Sequence, residues 1–118
     1  MFDRKSTQEV FRVVVAYGTA ADHPMVAAVA GKKIRLLSFH ATLTGTAPAI
    51  RFESAAGGTA LSGVMLPATG TQINLPYNPM GHLETLSGEA LSLEVGGTTP
   101  SVQGVAMYTL VDADRREY

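Results

Sequence analysis

The sequence predicts an all-β fold: an antiparallel β-sandwich, jelly-roll-like, of about eight strands. Two observations carry this. Apolar residues alternate with polar ones in short runs, as in Ile50-Arg51-Phe52-Glu53, Ile73-Asn74-Leu75 and Leu91-Ser92-Leu93-Glu94-Val95, and a period of two is the mark of a half-buried strand. Gly, Pro and Asn clusters separate these runs at the ~8–12-residue spacing of sandwiches and jelly rolls, and no stretch carries a convincing amphipathic helical pattern.

Taken in order, residues 1–8 are polar apart from Met1 and Phe2, lack any period and read as a flexible arm. Residues 9–111 form the sandwich domain and residues 112–118 a charged tail. The first strand spans Glu9 to Tyr17, with Phe11, Val13, Val15 and Tyr17 on one face and Val10, Val14 and Ala16 on the other. A strand apolar on both faces is expected at the centre of its sheet or under a neighbour. Gly18 to Pro24 reads as a connection, and Met25 to Ala30 as a short strand or a helical turn ended by Gly31.

Lys32 to Leu43 is the longest predicted strand. Its inward set begins with Ile34 and Leu36 and then shifts phase to Leu37, Phe39, Ala41 and Leu43. A slip of one residue is what a β-bulge or a passage between sheets produces. Gly45 to Pro48 turns the chain into the Ile50–Glu53 strand, and Gly57-Gly58 gives a hairpin-like turn into Thr59–Met65. The stretch Thr71–Val95 reads as strand, turn, short strand, turn, strand, punctuated by Pro76-Tyr77-Asn78-Pro79-Met80-Gly81 and by Ser87-Gly88-Glu89. After a turn at Gly96–Pro100, Val102 to Val111 closes the fold, with Val105, Met107, Thr109 and Val111 on one face.

At 118 residues the chain suits one domain with one core. Charged residues make up 16%, below the ~25% of an average soluble domain, and their placement is uneven. From Ala55 to Val111 there is no Lys or Arg, and the only acids are Glu84, Glu89 and Glu94. A Thr/Ser/Gly surface explains part of this. A surface covered by other subunits or a partner explains more, because interface cores are depleted of charge. A net charge of −1 argues against nucleic acid as a partner. The absence of Cys removes disulfides and zinc–thiolate sites. No apolar run reaches the ~18 residues of a membrane span, and MFDRKSTQEV lacks the apolar region of a signal peptide, so a first residence in the cytoplasm is expected.

No catalytic, cofactor or metal motif is found. His82-x-Glu84 with Glu89 comes nearest to a metal set, but the His-x-His pair usual in cupin-type jelly-roll enzymes is missing, and His23 and His40 lie in other segments. His40, flanked by Ser38 and Thr42, lacks the context of a catalytic triad. Lys32, Lys33 and Arg35 read as a solvated strand edge that discourages aggregation. Non-catalytic function is therefore expected, with no cofactor.

The succession KKIRLLSFHATLTG, AIRFES, LSGVMLPATG and LPYNPMGHLETLSGEALSLEV, followed by a closing apolar strand, resembles small jelly-roll capsid decoration (cement) proteins encoded beside capsid genes in tailed bacteriophages. The resemblance covers roughly residues 30 to 111 and rests on strand rhythm, the Pro-Tyr-Asn-Pro-x-Gly turn and the Gly-Glu-Ala-Leu segment. It implies a structural virion protein, assembled in the host cytoplasm and seated on the capsid exterior. There it would bridge neighbouring major capsid proteins as a homotrimer or other homo-oligomer, with no nucleic acid or membrane partner. Residues 1–8 have no counterpart in the resemblance. Phe2, Arg4 and Lys5 are the candidate contacts of that arm with the shell, since a polar arm can order on docking. Related sandwiches occur in phage fibres and tail tips, so a carbohydrate- or receptor-binding role is the alternative, and a cupin-like enzyme a more distant one.

Overall fold

A computed structural model describes residues 8–112. It is all-β and antiparallel, with seven strands in one hydrogen-bonded open sheet and no helix among the described residues. The strands are β1 (Phe11–Tyr17), β2 (Ala21–Val26), β3 (Lys32–Ser54), β4 (Thr59–Ala60), β5 (Gln72–Leu75), β6 (Leu83–Glu84) and β7 (Leu91–Asp112). The Phe2, Arg4 and Lys5 arm and the tail beyond Asp112 lie outside the described residues.

The fold is organised by β3 and β7, strands of 23 and 22 residues that pair from Lys32↔Asp112 to Ser54↔Leu91. Each half of this ribbon carries its own flanking strands. The half built from Lys32–Thr44 and Ser101–Asp112 has β1 outside β7, with β5 and β6 outside β3. The other half has β2 outside β7 and β4 outside β3. Residues 32–43 and 50–53 are thus one strand, and so are 91–95 and 102–111, which is why seven strands stand where about eight were expected.

The ribbon cannot be straight. Phe39 and Phe52 lie thirteen positions apart on β3, a separation of roughly 43 Å if extended, yet their rings meet edge to face with centroids 5.0 Å apart. The fold-back is located by register shifts between Thr44 and Ala49. Gly45 and Gly97 there both have φ near +109°, and a Cβ on either would come within 2.6 and 2.7 Å of the opposing backbone, so no larger residue fits without displacing the chain. The two ends of β3 are then clasped by neighbouring residues. Thr85 exchanges bonds with Ile34, its N–H donating to the Ile34 carbonyl (3.0 Å) and its Oγ1 accepting from the Ile34 N–H (2.9 Å). The Leu86 N–H donates to Ser54 Oγ (2.8 Å), whose hydroxyl donates to Glu89 (2.6 Å).

The phase slip is seen where it was read. The register shifts between Leu36 and Ser38, and Ile34, Leu36, Leu37, Phe39, Ala41 and Leu43 are all buried. A single apolar cluster joins most of these to Val15, Ile50, Phe52, Leu91, Leu93 and Val95. The hairpin at residues 55–58 pairs Ser54 with Thr59, and Met65 bridges Ile50.

Two expectations are corrected, and the inward face of the closing strand is identified. Gly18–Pro24 is not all connection, since β2 begins at Ala21; Pro24 is accommodated because β2 is an edge strand and its register shifts just after it. β1 is not central but marginal, and Val14 on its outer face is 71% exposed. On the closing strand the face turned to the core is that of Val102, Ala106, Tyr108 and Leu110 rather than that of Val105 and Met107. Thr109 is nonetheless buried, its hydroxyl donating to the Glu9 carbonyl.

Leu93 is fully buried in the shared cluster. Leu93→Ala is expected to cost ~2–5 kcal/mol in a denaturant titration, as other large-to-small core changes do; a change below ~0.5 kcal/mol would place this side chain outside the core.

Candidate functional site

The residues singled out for metal chemistry are engaged elsewhere. Glu84 pairs with Arg35 across the β6–β3 ladder (2.5 Å), Glu89 accepts from Ser54, and the exposed His82 ring bonds the Pro76 carbonyl (2.7 Å). His40 is exposed between Asn74 and Val105, and no hydrogen bond joins it to a hydroxyl or carboxylate among the described residues. His23 stacks on Tyr17 with centroids 4.3 Å apart and bonds the Thr19 carbonyl. Arg35 is not on a sheet edge, because β6 pairs outside it, and Lys32 and Arg35 are paired with Asp112 and Glu84. A groove of about 860 Å³ runs past Gln8, Phe11, Lys32, Arg35, Met80 and Asp112, where the described chain begins and ends. Its basic side chains, Lys32 and Arg35, are those of the same ion pairs, and Glu9 adds a carboxylate to the lining.

The one concentrated charge cluster was not foreseen. In the ladder, Asp22 of β2 lies opposite Glu94 of β7, which lies opposite Arg51 of β3; the next rank is Pro24, Ser92 and Glu53. Alternation puts these side chains on the face turned away from Phe52 and Leu93. Carboxylate oxygens of Asp22, Glu53 and Glu94 all lie within 4.8 Å of one another. Arg51 Nη2 donates to Glu53 Oε2 (2.8 Å) and contacts Glu94 Oε1 at 2.9 Å, while the Gly57 N–H of the β3–β4 hairpin donates to Glu53 Oε1 (3.1 Å). With the hairpin over it, Glu53 has no exposed surface.

Asp22 and Glu53 shift in opposite directions. Asp22 is raised above its ordinary value, first by its hydrogen bond to Glu53, then by burial and by the negative charges of Glu53 and Glu94, with Arg51 opposing. Burial pushes Glu53 up, but hydrogen bonds from Arg51, the Gly57 N–H and Asp22 outweigh it and hold the carboxyl below its ordinary value. Two buried polar atoms in these two ranks, Arg51 Nε and Ser92 Oγ, have no hydrogen-bond partner.

Sequence reasoning read Arg51 and Glu53 as the exposed face of a strand and placed Asp22 in a connection. The only available signal was alternation, which puts Arg51 and Glu53 on one face. It gives no pairing between strands so distant in sequence.

No family model matches the chain, and neither the curated proteins nor the solved structures contain a significant match to it. The class that fold and site define is thus an antiparallel all-β protein with an ion-pair cluster on one end of its sheet.

The opposed shifts give a pH signature. The contribution of Asp22, raised above 3.8, is present at low pH and lost as pH rises through its folded value; that of Glu53, lowered below 4.5, is present above 4.5 and lost as pH falls. Asp22→Asn removes the first, while Glu53 keeps its hydrogen bonds from Arg51 and the Gly57 N–H. In divalent-free buffer the Tm of the variant relative to the parent should therefore be more favourable near about pH 7 than near about pH 3.5. Calorimetry at both values checks this, and a constant difference would separate Asp22 from the cluster.

Proposed function

We propose that this is a structural virion protein of a tailed phage, decorating the capsid exterior and bridging neighbouring major capsid proteins as a homo-oligomer, with three copies the arrangement best suited to sites where capsomers meet. The two halves of the folded β3–β7 ribbon, with Phe39 and Phe52 between them, are on this reading the two layers of a jelly-roll-like sandwich. Phe2, Arg4 and Lys5 of the arm remain the proposed contacts with the shell.

One observation carries the reading. Of the large apolar side chains left exposed, Val64, Leu66, Tyr77, Met80 and Leu86 all fall in the stretch that lacks Lys and Arg. Leu66 and Met80 are 72% and 77% exposed. Val14 on β1 adds an apolar position to an uncovered sheet margin. Apolar surface with little neighbouring charge is what contacts between subunits or with a shell cover. Closed symmetry covers it without open-ended polymerisation. Clamping capsomers needs area and shape rather than chemistry, and several weak arms held together bind tightly. Tyr77, an exposed aromatic ring, favours the alternative of a carbohydrate- or receptor-binding fibre or tip domain.

Light scattering at micromolar concentration should give a mass of more than one chain, and Leu66→Glu combined with Met80→Glu should lower it while far-UV circular dichroism is unchanged. Co-sedimentation with undecorated shells should weaken by about tenfold or more when residues 1–8 are removed. A stable monomer that ignores shells would overturn the proposal. Binding on a glycan array in its place would establish the alternative.

A further inference from the structure

We propose that Asp22, Glu53, Glu94 and Ser92 form a binding site for one hard divalent cation of the calcium type. This stands apart from the capsid reading, because it follows from the outer face of β2, β7 and β3 alone.

The charge is unbalanced. Three carboxylates face one guanidinium, and Arg51 engages only Glu53 Oε2 and Glu94 Oε1. Glu53 Oε1 accepts from the Gly57 N–H, whereas no described residue donates to Glu94 Oε2. The Asp22 carboxyl is drawn against two others of its own sign. Carboxylates held this close in a native fold call for a proton or a cation between them.

Ser92 is the second, independent observation. Its side chain is fully buried, and its hydroxyl has no hydrogen-bond partner. It lies directly opposite Glu53 in the ladder and two positions from Glu94 on the same strand, so all three side chains leave the same face. Its partner on the other side is Pro24, which has no N–H to offer. A buried hydroxyl beside a carboxylate ordinarily bonds to something. A cation among these oxygens supplies that partner.

The donor set selects the ion. All the donors are oxygens, with no His or Cys, which suits calcium or magnesium and not zinc or copper. The donors come from three strands, one of them an edge. Calcium accepts six to eight oxygens in irregular arrangements and completes its shell with water, which the exposed Asp22 side admits. Arg51 keeps its two oxygens and orients the glutamates from behind, as outer partners of metal ligands do. The ion would tie β2 to the β3–β7 ribbon.

The test is calorimetric titration of the full-length chain with calcium chloride, with magnesium chloride and sodium chloride at matched ionic strength, alongside thermal unfolding in each salt. The expected result is one calcium per chain with Kd of about 10⁻⁴ to 10⁻³ M and a Tm that rises with calcium but not with sodium. Asp22→Asn and Glu94→Gln should each weaken binding by about tenfold or more, and Ser92→Ala by a smaller factor. Asp22→Asn should fold normally in divalent-free buffer and lose the calcium-dependent rise in Tm, which a purely structural cluster would not have. If either carboxylate variant fails to fold, the other carries the test. No heat and no Tm change at about 10 mM calcium, well above that Kd, would overturn the proposal, as would an equal rise with sodium or undiminished affinity in both carboxylate variants.

Discussion

Everything in this fold depends on a two-stranded ribbon that is bent back on itself without losing its pairing. A two-stranded antiparallel ribbon in water is marginal on its own. Here it folds at Gly45 and Gly97, and apolar side chains of both halves join one buried cluster that includes the Phe39–Phe52 contact. The short strands β4, β5 and β6 number only two to four residues and could not persist without the long strand they line. Thr85 and Leu86 complete the arrangement by bonding to Ile34 and Ser54, positions far apart along β3 that only the fold-back brings near each other.

The bend divides polar labour between the two faces. Inward positions of both halves are almost wholly apolar, and the buried polar side chains Ser54, Thr85 and Thr109 each bond to backbone or to a neighbouring side chain. Outward positions differ from end to end. Beside β2 and β4 they hold Arg51 and its three carboxylates, whereas around β1 they include Val14, with Val105 and Met107 half-buried. A network of paired charges fixes the geometry of one end at a high desolvation cost. The other end leaves its surface open to contact.

Much of this architecture was legible because alternation is a local signal. The slip from Leu36 to Leu37, the hairpin at Gly57-Gly58 and the inward set of Leu91, Leu93 and Val95 all follow from neighbouring residues alone. What was not legible is what depends on distant partners. Gly45–Pro48 and Gly96–Pro100 carry turn residues, and turn chemistry reads as the end of a strand; here the two irregular segments face each other, so pairing resumes beyond them and each pair of predicted strands is one. Val105 and Met107 look as apolar as Val102 and Ala106, so composition does not say which face meets the core. The acidic cluster was invisible for the same reason, since Asp22 joins Glu94 and Glu53 only through the β2–β7 and β7–β3 ladders.

That difference between local and non-local information bears on function. A catalytic site would require convergent groups with free donors and acceptors in a cleft. In this molecule the histidines project separately, and in the groove beside Gln8 and Asp112 both basic side chains are already in ion pairs, Lys32 with Asp112 and Arg35 with Glu84. The unsatisfied atoms lie instead at Ser92 and Arg51, among fixed charges on an outer face, and the unsatisfied apolar surface lies along the stretch free of basic residues. Under the two proposals both kinds of incompleteness would be relieved by binding: an ion where oxygens converge without enough positive charge, and a protein surface where apolar side chains face water without neighbouring charge. A sheet braced by its own folded ribbon can offer both at once, because neither demands that the core move.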